Sequence, residues 1–144
     1  MNLDKTKWID GPWTNEADRV EFVTAAGLPA IVKRSAATGA LCGYVGAKPA
    51  KRKAYALKVH GGITYEAPCN HDCGVCHVPA PGEPEDLTWF GFDCAHAFDA
   101  TPVLSTMSAE AGIELQDASA VYRDVAYVQA ECERLAAQLM AAAE

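Results

Sequence analysis

Six apolar residues near the C-terminus, Val121, Val125, Val128, Cys132, Leu135 and Leu139, recur at alternating intervals of four and three. An α-helix gathers such positions onto one stripe, because 3.6 residues per turn returns every third or fourth side chain to the same face. An apolar stripe has to be covered, so the rest of the chain must supply a surface for it. The spacing predicts a helix over residues 119–143, with Asp117 or Ser119 accepting a hydrogen bond from a free amide at its start. A stripe of about three heptads suits packing on a sheet better than a dimerising coiled coil, which remains the alternative and carries a possible homodimer.

The covering surface is written upstream. DRVEFVTAAGLPAIVKRSAATGALCGYVGA divides into Val- and Ile-rich runs separated by the turn signals AAGLP and AATG, which predicts two or three strands of a meander. AYALKVHGGITY continues it, with Leu57 and Val59 alternating with Lys58 and His60. The strand is expected to end at His60, where Gly61 and Gly62 permit a tight turn. LTWFGFD reads as a further strand, followed by a connection of small and polar residues to about Asp117. The expected fold is α+β: an antiparallel sheet of about five strands packed by the long C-terminal amphipathic helix, with a Cys/His/Pro-rich loop at residues 66–86. The 144 residues are expected to form a single domain, with residues 1–17 a loosely ordered N-terminal segment.

Charge narrows the partners. Nineteen acidic against twelve basic residues give a formal net charge of -7, which disfavours nucleic acid and anionic membrane surfaces. The opening MNLDKTKWIDGPW carries charges where a secretory leader needs an apolar core, and no apolar run is long enough to cross a bilayer. A cytoplasmic location without a membrane partner is expected. The local exception is basic: Lys48, Lys51, Arg52, Lys53 and Lys58 fall within a stretch without acids that follows the glycine-bearing LCGYVGA. Glycines beside lysines can form an anion-binding concavity, although a solvated basic loop explains the run as well and no GxxxxGK[ST] motif is present.

Eight of the ten Cys and His residues lie between His60 and His96. In a reducing compartment such thiols are metal ligands or reactive groups rather than disulfide partners. Cys73 and Cys76, as CGVC, have the two-residue interval that lets one loop offer zinc a pair of ligands, and Cys69 with His77 or His71 can complete a tetrahedron. A structural zinc bound by Cys69, Cys73, Cys76 and His77 is expected, with a redox pair or free thiols as the other readings. A second group follows the aromatic strand, where WFGFDCAHAFD places Asp93, Cys94, His96 and Asp99 at a strand end. If that end lies beside the end of ALKVH, these residues form a polar pocket with His60, Gly61 and Gly62, to which Lys51 and Arg52 add charge. Such a pocket fits a small anionic, nucleotide-like ligand or a host protein. It also fits a hydrolase in which Cys94 is the nucleophile, His96 or His60 the base, and Asp93 or Asp99 the group that orients the imidazole, or in which a pocket metal acts. The plainer reading makes Cys94 a buried small residue and the two aspartates turn or cap residues.

The blocks LCGYVGA, HGGITY, FGFDCAHAFD and YRDVAYVQAECERLAAQL, in this order, resemble a family of small uncharacterised proteins found in phages and their bacterial hosts. The resemblance spans about residues 18–140 and implies a self-standing accessory protein that binds a host factor or a signal nucleotide. It assigns no residue a role.

Overall fold

The computed structural model of the chain describes residues 3–48, 56–68 and 86–142. Lys51, Arg52, Cys69, His71, Cys73, Cys76 and His77, and with them the zinc expectation, lie outside the described residues. Strands β1 (Arg19–Val23), β2 (Pro29–Arg34), β3 (Leu41–Ala47), β4 (Tyr65–Pro68) and β5 (Thr88–Asp93) form one sheet in the order β1-β2-β3-β5-β4. Every neighbouring pair is antiparallel. Two helices follow, α1 (Pro102–Ala111) and α2 (Val125–Ala142). The fold is α+β, with the long C-terminal helix packed on the sheet, as the apolar stripe requires.

Alternation decides what each face of the sheet buries. Ala30 and Val32 of β2, Leu41 and Val45 of β3, and Phe90 and Phe92 of β5 form one core with Val128, Cys132, Leu135, Ala136 and Leu139 of α2. Gly43 makes the close approach possible: a Cβ there would lie 2.4 Å from the Phe92 ring and 2.8 Å from Cys132 Sγ. The other face carries a smaller cluster of Ile31, Leu87 and Trp89, flanked by an edge-to-face pair of Tyr44 and Tyr65 at 5.5 Å. Among the described residues no helix is long and apolar enough to cross a membrane.

Four features differ from the sequence expectation. Helix α2 begins at Val125 rather than near residue 119, and its cap is neither Asp117 nor Ser119 but Asp124, whose Oδ1 accepts from Tyr127 N at 2.9 Å. Val121 stays outside the helix, half exposed, in a parallel bridge with Asp99. Leu57 to His60 is no strand. It lies against α2 as a strap, where the Gln138 side-chain amide accepts from Lys58 N at 2.6 Å and donates to Lys58 O at 2.7 Å, and Glu131 Oε1 accepts from His60 N at 2.9 Å. Side chains thus meet the hydrogen-bonding needs of a backbone that finds no neighbouring strand.

The connection after β5 contains α1, capped by Thr101 Oγ1 accepting from Leu104 N, with Pro102 in its first turn and Gly112 in the left-handed region at its end. The N-terminal segment, expected to be loose, is tied down. Trp13 is buried, its indole N–H donates to Ile9 O at 3.0 Å, and Lys5 Nζ reaches Glu16 O and Asp18 Oδ1. Glu16 in turn accepts from Arg34 Nη2 at 2.9 Å and from Val125 N at 2.9 Å, joining the segment to the sheet and to the start of α2.

Candidate functional site

The end of β5 and the end of the strap meet, and between them sits Asp99. Its carboxylate is 2% exposed and is bonded by three groups. His60 Nε2 lies 2.8 Å from Oδ2 and 3.0 Å from Oδ1, His96 N donates to Oδ2 at 3.0 Å, and Arg123 Nε donates to Oδ1 at 3.0 Å. Burial alone would raise the Asp99 pKa, but the bonds from His60, the His96 amide and Arg123 outweigh it and hold the carboxyl below its ordinary value.

His60 is fixed from both ends. Its Nδ1 is 2.8 Å from the Tyr127 hydroxyl, so a neutral ring that gives its Nε2 proton to Asp99 accepts the Tyr127 proton at Nδ1. Its backbone N–H is held by Glu131, which also takes Arg134 Nη1 at 2.5 Å. Arg123 lies over the Tyr127 ring at 4.8 Å from the centroid, a cation–π contact that fixes the guanidinium plane. Burial lowers the Arg123 pKa less than the bond to Asp99 raises it, so the group stays cationic.

Gly61 has two reasons to be glycine. Its φ of +69° lies in the left-handed region, within a turn closed by Gly62 N donating to Val59 O at 2.9 Å. A Cβ on it would also stand 2.0 Å from His96 Nε2. The bare backbone lets the His96 ring sit beside His60, with ring centroids 5.9 Å apart. Gly62 has φ +81° with open space around it, so its constraint is conformational alone. His96 itself is exposed, and its Nε2 stands 3.4 Å from Asp93 Oδ1, which also accepts from Ala95 N at 3.1 Å in a local turn.

Of the residues singled out in the sequence, His60, Gly61, Asp93, His96 and Asp99 are therefore neighbours. Cys94 follows β5 but turns inward: it is 1% exposed within the main core, and burial, with Asp99 next, pushes its thiol pKa far up. An inaccessible thiol held protonated is no nucleophile, so this environment opposes the Cys94 hydrolase. Arg123, Tyr127 and Glu131 are the additions that the sequence reading lacked. Tyr127, Glu131, Arg134 and Gln138 follow one another at intervals of four, three and four, a polar stripe beside the apolar one and a signal that was present.

Among the described residues no group of three or more His, Cys, Asp or Glu is arranged to hold a metal ion. Comparison with protein-family models, with curated proteins and with solved structures returns no match.

Proposed function

We propose that the chain is an accessory binding protein of the phage-associated kind its sequence blocks resemble, and that it takes a small anionic, nucleotide-like ligand at the cluster around Asp99. The observation that carries this reading is the Arg123 guanidinium. It is anchored through Nε to Asp99 at 3.0 Å and seated on Tyr127, while among the described residues Nη1 and Nη2 have no hydrogen-bond partner. Its side chain is 24% exposed. A planar, permanently charged fork held in one orientation suits a phosphate or carboxylate, whose oxygens match it two at a time. His96, on the same carboxylate's shell and open to solvent, supplies a second donor.

Titration with adenosine 5′-monophosphate and with inorganic phosphate, followed by calorimetry and by amide shifts of residues 60–62, 96–99 and 123, tests the reading. Saturable binding that Arg123→Gln weakens at least tenfold is the expected result. No binding of either probe, or binding indifferent to that substitution, overturns it.

The exposed His96–Asp93 pair favours a second reading, a hydrolase in which His96 is the base. Release of phosphate from a nucleotide that is abolished by His96→Ala, with binding retained, would select it. The zinc-tied loop belongs to the same proposal on the strength of its ligand spacing. Cys73→Ser and Cys76→Ser are expected to lower both bound zinc and melting temperature, because structural metal binding is linked to folding.

A further inference from the structure

Helix α1 wears its apolar stripe on the outside. Its buried positions are Pro102 and Thr106, while Leu104, Met107 and Ala111, spaced three and four apart, run along the opposite side. Met107 is 48% exposed. The chain then doubles back along the helix, with Leu115 N donating to Ser108 Oγ at 3.1 Å and Gln116 Nε2 to Ser105 Oγ at 2.8 Å. This return lays Ile113, 59% exposed, and Leu115, 39% exposed, beside the stripe. Large apolar side chains gathered at the surface mark an interaction site more often than a solvated one.

The charge of the chain segment that forms this patch is of one sign. No Lys or Arg occurs from residue 59 to residue 122, and Glu110, Glu114 and Asp117, close in the chain to the exposed Met107, Ile113 and Leu115, are themselves exposed. We propose that the outer face of α1 docks a cationic amphipathic helix of a partner protein, its apolar side chains on Met107, Ile113 and Leu115 and its Lys or Arg residues toward Glu110, Glu114 and Asp117. Charge complementarity selects this occupant. A second copy would set the same acidic rim against itself in a chain of net charge -7, and an anionic membrane would meet the same repulsion. An apolar helical stripe is also the surface on which a second helix packs. The site is separate from the cluster around Asp99 and stands or falls independently of the anion-binding reading.

The test uses the full chain and a synthetic amphipathic helix with leucines on one face and lysines on the other, a scrambled peptide of the same composition, and a helix with glutamates in place of the lysines. The expected result is saturable binding of the Leu/Lys helix alone, with amide shifts confined to residues 104–117. Glu110→Lys with Glu114→Lys, and separately Met107→Lys, are each expected to weaken it at least tenfold while the circular dichroism spectrum is unchanged. Equal binding of the scrambled peptide, shifts spread over the whole surface, or insensitivity to both sets of substitutions overturns the proposal. So does self-association of the wild type that Met107→Lys abolishes, because the occupant would then be a second copy.

Discussion

Asp99 holds three partners with one carboxylate, and its removal leaves each without its bond. Asp99→Ala strands the Arg123 cation and the His60 imidazole beside a cavity, and breaking a buried pair from one side costs roughly 3 to 5 kcal/mol. Urea denaturation is expected to show a loss of that order. The pH dependence follows from the same bonds. Folding lowers the Asp99 pKa, so its stabilisation is complete above an unfolded value of about 3.9 and disappears as the pH falls through the lower folded value. The wild type is therefore expected to lose stability below about pH 4, and Asp99→Asn to show a shallower slope there. Gly61 and Gly62 make a paired comparison: both have positive φ, but only a side chain on Gly61 meets His96. Gly62→Ala is expected to cost about 1 to 2 kcal/mol of backbone strain and leave His96 in place. Gly61→Ala is expected to cost more and to shift the His96 ring resonances.

At the scale of elements, α2 is two helices in one sequence. One stripe, through Val128, Cys132, Leu135 and Leu139, faces the sheet. The other, through Tyr127, Glu131 and Gln138, faces the strap. Truncating each separates their tasks. Leu135 is fully buried, so Leu135→Ala is expected to destabilise the whole fold by roughly 2 to 5 kcal/mol. Gln138→Ala removes two bonds to Lys58 and is expected to cost about 1 to 2 kcal/mol globally while raising amide exchange of residues 58–61 far more than that of β3. The apolar stripe was legible because burial enforces it. The polar stripe is not legible in the same way, since tyrosine, glutamate and glutamine on a helix ordinarily mean a solvated face. The strap reads as a strand in the sequence because its alternation of Leu57 and Val59 with Lys58 and His60 is the same for any extended chain with one side covered. Helix α1 escaped because its apolar positions face out, so that only Thr101, Pro102 and Gly112 announced its ends.

Across the whole molecule, a buried network ties the N-terminal segment, the sheet and α2 together. The Arg34 side chain has no exposed surface and donates to Asp18 Oδ1 at 2.7 Å, Glu16 Oε1 at 2.9 Å, Gly39 O at 2.9 Å and Tyr122 OH at 2.8 Å. The Tyr122 hydroxyl also donates to Glu16 and its ring meets Trp13 edge to face at 5.3 Å. Arg34→Ala leaves the largely covered Glu16, its side chain 14% exposed, without its countercharge, and a loss of about 3 kcal/mol is expected. Tyr122→Phe added to it is expected to cost less than the sum of the two alone, because the groups share partners, and a double-mutant cycle measures the difference. Neither Arg34 nor Glu16 could be recognised from sequence, since their meeting depends on how the first eighteen residues fold back. The strap carries a consequence for how such a protein can change. A strand's neighbours grip its main chain whatever the side chains are, but this strap is gripped by three particular side chains of α2, Tyr127 and Glu131 at His60 and Gln138 at Lys58. Its position is thus inherited on another element, one nucleotide change at a time, and selection can retune the site's geometry while the sheet that supports it stays untouched.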